Sequence, residues 1–70
     1  MTTDQIIDFI LRGIPLIKES ITQSLMLHNS GFSFGQVSLA YRMGVISGDD
    51  FSNLNDEIQK AKDYWMEKSK

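Results

Sequence analysis

The sequence predicts an all-α protein, a small bundle of three to four helices in a single domain spanning residues 1–70. Apolar residues recur every three or four positions along most of the chain, which is the spacing of one helix face. Polar and glycine-containing segments that suit helix caps separate these stretches, and no segment predicts a strand. We expect helices at approximately 3–12, 15–28, 34–43 and 48–67.

The first helix is predicted to begin at a threonine capping box. In Thr2-Thr3-Asp4-Gln5, a threonine oxygen can accept from the amide three residues on, while Gln5 reaches back to the cap. Apolar residues follow at helical spacing, and the main row is Ile6, Ile10, Ile14, Ile17, Ile21, Leu25 and His28.

Gly13-Ile14-Pro15 disturbs this first helix. Proline removes one backbone hydrogen bond and clashes with the carbonyl of Leu11, and the residue before a proline avoids the helical region. Two outcomes stay open: one long helix kinked at Pro15, or a helix that ends near Arg12 with Pro15 as the first residue of the next. We favour a break or a sharp kink, because a glycine adjoins the proline.

The segment His28-Asn29-Ser30-Gly31 predicts a helix end, because Asn29 or Gly31 suits a left-handed cap. Phe32 and Phe34 then fall in a connection. Ser33 can cap the next helix, which we expect to run to about residue 43.

The last helix has the clearest periodicity. Gly44 suits the residue that ends the preceding helix, Ser47 suits an N-cap, and Asp49 and Asp50 complement the helix dipole in the first turn. The predicted core stripe has an unbroken three- and four-residue spacing and consists of Phe51, Leu54, Ile58, Ala61 and Trp65.

Residues 36–61 resemble the helical hairpin of SHOCT-like short domains. The resemblance lies in Gly44-Val45-Ile46-Ser47 followed, after two residues, by Asp50-Phe51. In that hairpin the glycine ends the first helix, the aliphatic pair packs the bend, the serine caps and the aromatic residue begins the core stripe. The resemblance implies a role in oligomerisation or protein contacts.

The same region also resembles, more weakly, the first helix and turn of a helix-turn-helix unit. Ala40 and Gly44 match the small residue and the turn glycine of that motif, which implies a DNA-binding hairpin at 34–58. However, the turn that would enter the major groove contains Asp49 and Asp50, and phosphates repel carboxylates. The net charge of −2 also provides no basic excess, so the sequence argues against nucleic acid as the partner.

Groups that could perform catalysis or bind metal are scarce. The chain contains no cysteine and a single histidine, His28, which has no carboxylate at local spacing. Neither a nucleophile–base pair nor a set of metal ligands is therefore predicted. The paired carboxylates at 49–50 and 56–57 lie at a helix cap or on a solvated helix face. We expect no enzymatic activity, no cofactor and no metal ion.

The small size of the chain favours an oligomer. A domain of 70 residues buries only about 60% of the surface that its unfolded chain exposes, and oligomerisation is one usual compensation. We expect a homodimer formed through the first helix. No signal peptide or membrane span is predicted, and the stretch 6–27 lacks the basic face of a membrane-surface helix. The expected location is the cytoplasm.

The predicted function is that of a small non-enzymatic interaction or regulatory protein that binds another protein and acts as an oligomer. A phage- or plasmid-type accessory role fits its size and acidity. The alternative is a nucleic-acid-associated transcriptional regulator that uses the hairpin at 34–58. The expected interaction surface consists of apolar and aromatic residues that the predicted core does not require, and these are Phe9, Ile10, Ile17, Phe32, Phe34, Tyr41 and Tyr64.

Overall fold

The computed structural model describes residues 2–69, which form three helices. The helices are α1 (Thr3–Lys18), α2 (Gln23–Arg42) and α3 (Gly48–Lys68). Each helix packs against both of the others, so the three surround one core. The predicted all-α bundle is confirmed, with three helices, and the last helix lies within one residue of its predicted bounds.

The predicted capping boxes begin α1 and α3. The Gln5 amide donates to Thr2 Oγ1 at 3.1 Å, and the Thr2 amide donates to Gln5 Oε1 at 2.9 Å. At α3, the Asp50 amide donates to Ser47 Oγ at 3.1 Å, and the Ser47 amide donates to Asp50 Oδ2 at 3.2 Å. Each box satisfies two backbone donors that the helix itself leaves without partners, which is why both starts could be predicted locally.

The predicted break at Pro15 is wrong, because α1 continues through Pro15 to Lys18. Pro15 is exposed, whereas Ile14 and Ile17 beside it are buried. The carbonyl that loses its partner belongs to Leu11, which is also exposed, so water can satisfy it. The helix therefore continues past the proline, and a kink there stays a prediction.

The chain turns at residues 19–22 instead, and α2 is one continuous helix. Thr22 caps it, since its Oγ1 accepts from the Leu25 amide at 3.1 Å. The separate helices predicted at 15–28 and 34–43 are therefore wrong. The physical reason is packing: the buried side chains of α2 keep helical spacing across the predicted gap, and they are Met26, Ser30, Ser33, Val37 and Ala40.

Asn29, which was expected to end a helix, lies inside α2 and closes the end of α1. Its Nδ2 donates to Ser20 Oγ at 3.0 Å and to the Leu16 carbonyl at 3.3 Å. Ser20 Oγ donates to the same carbonyl at 2.8 Å, and Trp65 Nε1 of α3 donates to the Ser20 carbonyl at 2.7 Å. Side chains of α2 and α3 thus hold the α1–α2 connection in place.

The core contains residues from all three helices and from the α2–α3 connection. Within residues 2–69, the buried apolar side chains are Ile10, Ile14, Ile17, Met26, Val37, Ala40, Ile46, Leu54, Ile58 and Ala61. Phe51 and Trp65 pack against them, so the predicted stripe of α3 is confirmed. Ile10 and Ile17, which were expected at the interaction surface, are 2% and 0% exposed. Both are core residues, and that expectation is corrected.

Two glycines provide a matched test of these local assignments. Gly31→Ala is expected to raise the free energy of unfolding by about 0.5–1 kcal/mol, because alanine favours the helix and its Cβ would meet no atom within 4 Å. Gly44→Ala is expected to lower it by about 1–2 kcal/mol, because Gly44 has a φ of +73°. Urea denaturation followed by circular dichroism measures both, and a loss in the first variant or none in the second contradicts the assignments.

Candidate protein-binding surface

Small residues line the contact between α1 and α2. A Cβ atom on Gly13 would lie only 3.6 Å from Ser33 Oγ. Ser30 and Ser33 are both buried, and Ser30 Oγ donates to the Leu27 carbonyl at 3.1 Å, which satisfies its hydroxyl inside the bundle. The two helices therefore meet through small residues at Gly13, where an added methyl group would be in ordinary van der Waals contact with Ser33.

Large apolar side chains lie on the outer side of this contact. They belong to one surface of α1 and α2, and each is more than half exposed. We call this surface the apolar face, and it consists of Phe9, Leu16, Phe32, Leu39 and Met43. These side chains are exposed because other sides of α1 and α2 form the core.

Two shallow grooves run along the apolar face, with volumes of about 240 Å³ and 290 Å³. Phe9 and Gln36 line both of them, so the grooves lie next to each other. Sites for small molecules are typically enclosed and of about 300–1,000 Å³. These grooves are open and slightly smaller, which fits the side chains of another protein better than a small ligand.

The helix that provides most of the apolar face carries almost no charge. The chain has nine acidic and seven basic residues, of which α2 contains only Arg42, at its C-terminal end. An exposed helix normally has a charged outer side. The centre of a protein interface, in contrast, is depleted of charge and enriched in aromatic residues and methionine. The outer side of α2 shares with such interfaces the lack of charge and the exposed aromatic side chain of Phe32.

Gln36 is the polar residue at the middle of the apolar face. It lies between Phe32 and Leu39 along α2 and is partly buried. Its side-chain amide forms no hydrogen bond with any of residues 2–69. The amide is therefore available to a partner at the place where the two grooves meet.

The structure does not bring the seven predicted surface residues together. Only Phe9 and Phe32 lie on the apolar face, and Ile10 and Ile17 are in the core. The other three contact α3 residues or belong to α3. Lys62 Nζ lies 5.8 Å from the centre of the Phe34 ring, the rings of Tyr41 and Phe51 are 4.6 Å apart, and Lys18 Nζ lies 5.3 Å from the centre of the Tyr64 ring.

Sequence reasoning missed Leu16, Leu39 and Met43 as surface residues. The signal was present, because positions 32, 36, 39 and 43 have the spacing of one helix face. The predicted connection at 29–33 hid this signal, since it placed Phe32 and Leu39 in different elements.

Residues 2–69 contain neither a candidate metal site nor a candidate membrane-spanning helix. No group of three or more histidine, aspartate or glutamate side chains could hold a metal ion. No helix in this part of the chain has the length and hydropathy needed to cross a membrane. Comparisons with models of protein families, with curated proteins and with solved structures find no match.

Adjacent residues of α1 test the boundary between core and apolar face. Ile10→Ala is expected to lower the free energy of unfolding by about 2–4 kcal/mol, because it leaves a cavity in the core. Phe9→Ala is expected to lower it by less than about 1 kcal/mol, because that side chain is more than half exposed. Denaturant unfolding at one low protein concentration measures both. Equal losses of unfolding free energy in the two variants would contradict the assignment of Ile10 to the core and Phe9 to the apolar face.

Proposed function

We propose that this chain is a small, non-enzymatic interaction protein that acts by binding another protein surface through the apolar face. The observation that carries the proposal is the composition of α2, which exposes Phe32 and Leu39, is followed by the exposed Met43 and is uncharged over residues 23–41. Covering this side of the helix with protein removes apolar area from water without removing charged groups from it.

The size of the apolar face supports the same proposal. Taking about 200 Å² for a whole side chain of this size, its five side chains expose on the order of 600 Å² together. The largest apolar patch on a typical monomer is about 300–600 Å² and is often functional. The apolar face is at the upper end of that range, in a chain of only 70 residues.

The charge of α3 supports a protein partner over nucleic acid. The first turn of α3 contains Asp49 and Asp50, and Asp50 is engaged in the capping box with Ser47. In a helix-turn-helix arrangement this turn would meet phosphates, which favour lysine and arginine. The resemblance of residues 36–61 to SHOCT-like hairpins implies protein contacts as well.

A photoreactive residue at position 32 tests the proposal. Benzoylphenylalanine keeps the aromatic ring of Phe32 and extends it with a benzoyl group, which the exposed position can accommodate. It is expected to give covalent adducts with protein on irradiation of the cells that make this chain. The same residue in place of Met66, an exposed side chain of α3, is the matched control. Adducts from position 32 but not from position 66 support the proposal, and adducts from neither or equally from both oppose it.

A further inference from the structure

We propose that the apolar face binds a second copy of this chain, with the two α2 helices antiparallel about a two-fold axis beside Gly35 and Gln36. This inference rests on the proposed function, because it uses the same face, and it adds the identity of the partner. Three properties of the face support it: its area, its charge and the arrangement of its residues along α2.

The area of the apolar face matches one side of a dimer interface. A standard interface buries about 800 Å² per partner, and homodimer interfaces are about 65% apolar. One partner therefore contributes roughly 500 Å² of apolar area. The apolar face exposes on the order of 600 Å², so two copies that pack face to face have the apolar area that a stable dimer needs.

The charge distribution favours a second copy over a charged partner. Residues 23–41 of α2 include no aspartate, glutamate, lysine or arginine, so two copies bring no like charges together at the centre of the contact. In an antiparallel pair the two Arg42 side chains lie at opposite ends. A strongly acidic or basic partner would find no opposite charge on residues 23–41, and Arg12 of α1, which lines one groove, is paired with Asp8 at 2.8 Å.

The spacing of residues on α2 fits a two-fold axis. Phe32 and Leu39 are two helical turns apart, or about 10.5 Å, and Gly35 and Gln36 lie midway between them. An axis at this midpoint places Phe32 of each copy beside Leu39 of the other, which is the reciprocal pattern of an isologous interface.

The residues at the axis suit a close contact. A Cβ at Gly35 would meet no atom within 4 Å, so the backbone of α2 is open to a second helix there. The side-chain amide of Gln36 lies on the apolar face and forms no hydrogen bond with the described residues, 2–69. Across the axis the two amides can exchange hydrogen bonds, which fixes the register as a single buried asparagine does in coiled coils.

Two opposite charges test this geometry. Phe32→Lys and Leu39→Glu each change a side chain that is more than half exposed, so both variants are expected to fold. Light scattering after gel filtration is expected to give the wild type twice its monomer mass of 8.0 kDa. Each variant alone is expected to be monomeric, with a dissociation constant raised at least tenfold. The variant Met66→Lys on α3 is the control and is expected to remain dimeric.

Mixing the two variants gives the decisive measurement. In the mixed dimer the introduced ammonium and carboxylate face each other, while the second Phe32–Leu39 contact is unchanged, so dimers are expected to return.

Three results overturn the inference: a monomeric wild type, variants that still form homodimers, or a mixture that stays monomeric. A monomeric wild type that still gives photo-adducts with other proteins from position 32 overturns this inference alone. Absence of all adducts overturns the proposed function too.

Discussion

The packing of α1 against both α2 and α3 decides which apolar side chains of the molecule are buried. Small residues form part of the contact between α1 and α2, where a Cβ on Gly13 would be in ordinary van der Waals contact with the Ser33 hydroxyl at 3.6 Å. The core is completed from the other side, where α3 contributes Leu54 and Ile58. Apolar side chains such as Phe32, on the outer side of the contact, are left exposed. The exposure of the apolar face thus follows from which sides of α1 and α2 the core covers.

The fold was predictable where local chemistry alone decides the structure. The capping boxes at Thr2 and Ser47 use side chains within three residues of the cap. The core stripe of α3 repeats every three or four residues from Phe51 to Trp65, so it too can be read from the local sequence. Elsewhere tertiary packing overrides local signals. Asn29 has the residue type of a helix cap, but it caps α1 from within α2, through a contact that no local pattern contains. Pro15 is accommodated because it faces solvent.

The candidate surface was predicted only in part, for a related reason. Periodicity shows that residues share a helix face, but the side of the helix that meets the core depends on its partners. Ile10 was therefore expected on the surface, although it is buried, while its neighbour Phe9 is exposed as expected. Leu39 and Met43 belong to the same face as Phe32 only when α2 is one helix. Their place on this face could not be predicted, because the cap-like residues at 28–31 indicated a helix end inside what is one continuous helix.

A single introduced cysteine tests most directly whether a second copy covers this face. The chain has no cysteine of its own, so Gln36→Cys can form a disulfide only with another molecule. Disulfides need Cα atoms within about 7 Å, a distance that residues beside a two-fold axis can satisfy. Gln36→Cys is expected to form a covalent dimer rapidly under mild oxidation, and Asp56→Cys on the exposed side of α3 is expected to form little. Equal cross-linking at both positions, or none at position 36, would contradict this expectation.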